Sequence, residues 1–153
     1  MPDNDPSIPG EAQLLRRIHP TQLIWDENQN RLRPTSNAFK DPSMSVNVED
    51  DVLAMGEQIG WVLRHDPKHH LASITAAFAR DSGQAVWRDP LVGDPIYGDD
   101  PTHAIVEGHK TGAQKSAYAK QAAVRLVQAA SLSAELRERQ ETAVANRPEE
   151  HGV

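Results

Sequence analysis

The stretch Gln84–Lys110, QAVWRDPLVGDPIYGDDPTHAIVEGHK, decides how the rest of the chain is read. Two short apolar strands, Gln84–Arg88 and His103–Glu107, flank a stiff connection that holds Pro90, Pro95 and Pro101. Asp89, Asp94, Asp99, Asp100, His103, His109 and Lys110 crowd the edges of these strands. Apolar strands of this kind belong in a core, so the polar groups are held at strand ends, where sites are often built.

Working outward, Met44–Val48 alternates, with Met44, Val46 and Val48 on one face and Ser45 and Asn47 on the other, the pattern of a half-buried strand. IGWVLR (Ile59–Arg64) and HLASIT (His70–Thr75) read as two further strands around the turn His65-Asp66-Pro67-Lys68. QLLRRIH, beginning at Gln13, fits a short strand or a single helical turn. Leu23-Ile24-Trp25 is an apolar run ended by the polar turn DENQN, and Thr35-Ser36-Asn37 suits a turn or a helix cap. Glu49–Met55 predicts a short helix with acids in its first turn and Gly56 as its stop. Ala76–Arg80 predicts one helical turn. Residues 113–145 contain no Gly or Pro and predict a long helix; Tyr118, Ala122, Leu126, Ala129, Ala130 and Leu136 form its apolar stripe. Strands outnumber helices before residue 112 without regular alternation. The expected class is α+β, a small mainly antiparallel sheet with short helices and a long C-terminal helix. The expected divisions are a disordered arm over 1–12, a core over 13–112, the helix over 113–145 and a disordered tail over 146–153.

A chain of 153 residues that is 38% hydrophobic is expected to form one domain with a modest core. Net charge is −6 with acids and bases intermixed, which argues against an extended footprint for duplex nucleic acid or for anionic membrane. There are no cysteines, so disulfides, thiolate metal sites and cysteine nucleophiles are excluded. The polar, acidic start MPDNDPSIPG is unlike a signal peptide, and no apolar run reaches the roughly 20 residues of a membrane span. The expectation is a cytoplasmic protein.

The segments RRI, RPTSNAF, MSV, LASIT, GQAVWRDP and PTHAIVEGHK, in this order, resemble a family of small bacterial proteins of unknown function. The resemblance covers roughly residues 14–111 and leaves both tails outside. It implies a bacterial origin and carries no activity, ligand or fold with it.

Candidate chemistry rests on histidine, arginine, serine and lysine. His65 and His69 have the spacing of a metal-binding helix face, but Pro67 between them breaks such a helix, and no metal site is expected there. The acids Asp94, Asp99 and Asp100 do not follow the spacing of a calcium loop. His103, at a strand start, is the candidate acid/base. Arg17, Arg33 and Lys110 are candidates to neutralise a phosphate or carboxylate, with Ser36 positioning it. The motifs GxSxG, GxxxxGK(S/T), GxGxxG and HExxH are all absent. The expected function is binding of a small anionic or nucleotide-like ligand; whether it is also processed, through His103, is left open, as is the cofactor. The competing expectation is a non-catalytic protein that docks a protein partner, or a second copy of itself, through the C-terminal helix.

Overall fold

The structure, a computed structural model, describes residues 4–125. In β1 (Gln13–Ile18), Leu14 and Ile18 join one apolar cluster and Leu15 another, as a period of two requires. A hairpin follows, β2 (Leu23–Asp26) and β3 (Arg31–Pro34). Asp26 Oδ1 closes its turn by accepting the N–H groups of Asn28 and Gln29 at 3.0 and 3.2 Å. β4 (Ser43–Val48) runs directly into α1 (Glu49–Ala54), whose first turn holds Glu49, Asp50 and Asp51 at the positive end of the helix. The same passage recurs from β5 (His70–Thr75) into α2 (Ala76–Asp81), where Thr75 Oγ1 accepts the Phe78 N–H at 3.1 Å. β6 (Ala85–Arg88) and the hairpin of β7 (Leu91–Asp94) and β8 (Gly98–Asp100) lead to β9 (His103–Glu107). α3 (Gly112–Gln121) opens with a capping box of Thr111 and Gln114, and β10 (Ala123–Arg125) ends the described chain.

Six of these strands form one antiparallel sheet in the order β10-β5-β1-β4-β9-β6. The other four stand apart as the hairpins β2–β3 and β7–β8. The expected α+β class with a mainly antiparallel sheet is therefore present. Leu14, Ile18, Val46, Val48, Ile74 and Val106 bring the sheet's share to the main core. Above them, Tyr118 of α3 lies between Phe39 and Phe78, with ring centroids 5.7 and 4.9 Å away. On the opposite face Leu15 and Leu71 pack with Val52, Val62 and Leu63 in a smaller cluster. Each such fully buried aliphatic side chain contributes about 1.5–3 kcal/mol relative to exposure.

Four expectations need correction. Residues 59–64 are not a strand: Ile59–Leu63 is a 3₁₀ helix. A three-residue turn brings Ile59 and Val62 to the same side, toward Leu15 and Leu71, which a strand with period two would not do. The connection after β6 is the β7–β8 hairpin rather than the stiff solvated loop expected between the two strands. Pro95 occupies its turn, and Asp94 Oδ1 accepts the N–H groups of Ile96 and Tyr97, both at 2.9 Å.

The helix expected over 113–145 stops at Gln121, where Ala122 turns extended (φ −67°, ψ 133°) and Ala123 then pairs with Ser73. The open edge of β5 draws the chain into the sheet, and that pairing overrides helix propensity. Residues 126–153, with the rest of the expected helix, Leu126, Ala129, Ala130 and Leu136, and the tail over 146–153, lie outside the described residues.

The arm expected to be disordered over 1–12 is docked from residue 4 onward. Ile8 is 1% exposed, and Asp5 donates its N–H to Val86 O at 2.8 Å. Arg80 holds the arm further by donating to Ile8 O at 2.9 Å and Asp5 O at 3.0 Å. One isoleucine in a buried socket, tied by backbone hydrogen bonds, outweighs the polar composition around it.

Candidate functional site

The expected site residues fall into separate neighbourhoods. His103 opens β9, directly opposite Asn47 of β4. Its Nδ1–H donates to Asp89 O at 2.8 Å, and Asp89 returns its own N–H to His103 O at 2.9 Å. A carbonyl oxygen only accepts, so the neutral ring carries its proton on Nδ1 and its lone pair on Nε2. The residue is 6% exposed. Beside it Asn47 Nδ2 donates to Asp100 Oδ2 at 2.7 Å and Thr102 Oγ1 at 2.8 Å. Thr102 in turn donates to Asp100 Oδ1 through its hydroxyl at 2.7 Å and its N–H at 2.9 Å. Satisfied hydrogen bonds of this kind fix the start of β9 against β8.

Arg17 lies on β1, opposite Leu71. Its guanidinium stacks on the Tyr97 ring at 4.0 Å and stands 3.6 Å from Asp66 Oδ2. Arg17, and His103 when protonated, both favour the ionised form of Asp94. That carboxyl is held below the usual range first by the N–H groups of Tyr97 and Ile96. Arg17 and His103 thus share an electrostatic neighbour, although Arg17 is committed to the β7–β8 hairpin and to Asp66.

Lys110 follows β9 and donates from Nζ to Asp41 O at 2.7 Å, with the Tyr118 ring 5.8 Å away. Burial first and the Arg16 charge second push its pKa down to about 8. Arg16 reaches the same segment, donating to Ala38 O at 3.2 Å, Ser45 O at 3.0 Å and Asp41 Oδ2 at 3.3 Å. Together these two cations clamp the chain between Ala38 and Ser45.

Arg33 and Ser36 do meet. They line a pocket of about 230 Å³ together with Ile24, Thr35, Ser116, Ala119 and Lys120. β3 supplies Arg33, opposite Ile24 of β2, and the 3₁₀ turn Ser36–Phe39 supplies Ser36 immediately after. Arg33 is oriented by Asp26, whose Oδ2 accepts from Nε at 2.9 Å, and by Pro34 O at 3.1 Å. Partial burial acts to raise the Asp26 carboxyl, but the Gln29 and Asn28 N–H groups and Arg33 overcome it and hold the group below its usual range. Arg31 donates to Lys120 O at 3.0 Å and Ala122 O at 3.1 Å, pinning the end of α3 onto β3. That contact sets Lys120 and Ser116, one helical turn apart, across from Arg33. His103, Arg17 and Lys110 line neither this pocket nor the one between His19 and the turn over residues 65–69.

Sequence reasoning missed Ser116 and Lys120. Their i, i+4 spacing was visible, but it takes the packing of Phe39 on Tyr118 and the bonds from Arg31 to bring α3 to the Thr35-Ser36 turn. Among the described residues no group of three His, Asp or Glu is placed to hold a metal ion, and no helix is long and apolar enough to cross a membrane.

No family model matches the chain, and neither a curated protein nor a solved structure matches it significantly.

Proposed function

We propose that the protein binds a small anion, the phosphate or carboxylate group of a metabolite, in the pocket between β3, the Ser36–Phe39 turn and α3. The observation that carries this reading is the convergence of two cations, Arg33 and Lys120, with three hydroxyls, Thr35, Ser36 and Ser116, on one concavity. Asp26 offsets one positive charge and leaves the other uncompensated within the pocket. Ile24 and Ala119 form an apolar wall that strengthens charge-assisted hydrogen bonds. A pocket of about 230 Å³ falls below the roughly 300–1,000 Å³ that holds drug-sized ligands, so it suits one anionic group and not an entire nucleotide. His103 is not among the lining residues, and the reading is one of binding without turnover. A bacterial, cytoplasmic setting belongs to the same proposal and agrees with a chain free of cysteine.

Titration calorimetry of inorganic phosphate and a sugar phosphate into wild type, Ser36→Ala and Lys120→Gln tests it. Each substitution is expected to weaken binding roughly tenfold, about 1.4 kcal/mol, and added salt to weaken it further. Absence of heat with phosphate and with carboxylates, or affinity untouched by both substitutions, overturns the reading.

A further inference from the structure

The second pocket, about 500 Å³, is lined by His19, His65, His69, Asp66 and Lys68, with Pro20 and Pro67 completing its wall. Three imidazoles and two pyrrolidine rings make this wall rich in flat or apolar ring surface. The His19 and His69 rings meet edge to face, 5.2 Å apart at 88°, and so form a corner. His19 is fixed there, because its Nδ1 accepts the Thr21 N–H at 3.1 Å and contacts Thr21 Oγ1 at 2.7 Å. That bond places the proton of the neutral ring on Nε2. His65 stands edge-on to Tyr97 at 5.8 Å.

The loop that carries these rings is held from below. Arg64 lies 3.5 Å over the Trp61 ring and donates to Trp61 O at 3.2 Å and Tyr97 O at 3.0 Å. Asp66 is braced by Arg17 at 3.6 Å and the Tyr97 hydroxyl at 3.4 Å. The walls are therefore organised before any ligand arrives, which lowers the ordering cost of binding. Burial, with the charges of His19 and Arg17, holds His69 below the ordinary imidazole value against the pull of Asp66. Asp66 and Lys68 oppose each other in charge, so a bare anion gains little here. A planar heteroaromatic ring gains stacking area, and about 500 Å³ lies within the range of pockets that take drug-sized ligands.

We propose that this cleft binds a mononucleotide, the base stacked in the corner of His19 and His69 and the phosphate met by Lys68. The site is distinct from the Arg33 pocket and does not depend on it.

The test follows histidine ring resonances by NMR while adenosine, AMP, CMP, GMP and UMP are titrated into wild type, His69→Ala, His69→Phe and Lys68→Ala. Nucleotides should shift the His19 and His69 signals, and excess inorganic phosphate should leave adenosine bound. His69→Ala should weaken binding roughly tenfold, as loss of a stacking ring does. His69→Phe should retain it within about threefold, because it keeps a flat ring. Lys68→Ala should reduce AMP to the affinity of adenosine. Unmoved histidine signals at millimolar nucleotide overturn the proposal. So does His69→Phe proving as damaging as His69→Ala, or zinc saturating these histidines while nucleotides leave them unmoved.

Discussion

Asp5 donates its backbone N–H to Val86 O at 2.8 Å and accepts the Arg88 N–H on its side-chain oxygen at 3.3 Å. Asn4 Oδ1 accepts the Val86 N–H between them at 2.8 Å. The outer edge of β6, one end of the six-stranded sheet, is thereby covered by the chain's own N-terminal arm. An uncovered edge of this kind is a template for pairing with another molecule. Deleting residues 1–10 is expected to lower the melting temperature by roughly 5–10 °C, mainly through loss of the Ile8 side chain from its socket. It should also produce self-association visible by light scattering. An unchanged melting temperature and a monomeric mass would show that the arm contributes nothing.

Asn47 ties Asp100 and Thr102 together with both of its amide hydrogens. Asn47→Ala leaves a buried carboxylate short of a donor and should cost roughly 1–3 kcal/mol, read from the urea midpoint at unchanged slope. Asn47→Asp should be worse at neutral pH, since it sets two carboxylates against each other. Its deficit should shrink as the pH falls and one of them takes a proton. A deficit independent of pH would place the damage in packing.

Lys110 and Tyr118 give the alkaline limb of stability two opposing contributions. The Lys110 pKa is about 8 in the folded state against an ordinary 10.5, so between these values the unfolded chain binds more protons and stability rises with pH. Tyr118 runs the other way. Burial, opposed by Ser82, lifts it from 10.0 to about 12, so the unfolded chain loses its proton first and stability falls above pH 10. In Lys110→Met the gain between pH 8 and 10 should be reduced and the fall above pH 10 retained. Chemical denaturation at closely spaced pH values would show this, and an identical slope in both proteins would refute it.

Gly108 adopts φ +144°, and a Cβ built on it would lie 2.7 Å from Gln84 Oε1. Gln84 cannot swing away freely, because its Nε2 donates to His109 O at 3.1 Å. Gly108→Ala should destabilise by roughly 1–3 kcal/mol through backbone strain and this contact. Adding Gln84→Ala should recover the share due to the contact alone. Full recovery in the thermal melt would mean that the backbone angle carries no cost.

The strands that frame the molecule were legible where alternation or punctuation was strong. Met44–Val48, His70–Thr75 and His103–Glu107 stand within a residue of their expected bounds. The β7–β8 hairpin was hidden because Gly93, Pro95 and Gly98 broke its strand pattern, although an acid capping a turn was expected there and Asp94 is that acid. Residues 59–63 misled because a short apolar run carries no decisive period. At the site, Arg33 and Ser36 were legible as neighbours in sequence. Their partners Ser116 and Lys120 lie some eighty residues further along, and no local signal points from one pair to the other. His103 and Lys110 were chosen for their chemistry, but burial decides how those groups behave, and burial belongs to the folded chain.

The contact of Tyr118 with Phe39 and Phe78 has a consequence for how the protein comes into being. The three rings are spread along the described chain, at positions 39, 78 and 118, and the main core is incomplete until the last is in place. β10 adds a further delay, because the outer edge of β5 is covered only by residues 123–125. A chain still emerging from the ribosome therefore exposes an open core and an open edge until Tyr118 and residues 123–125 have been made. Folding becomes a late event, slow for a domain of this size and open to capture by chaperones while it waits.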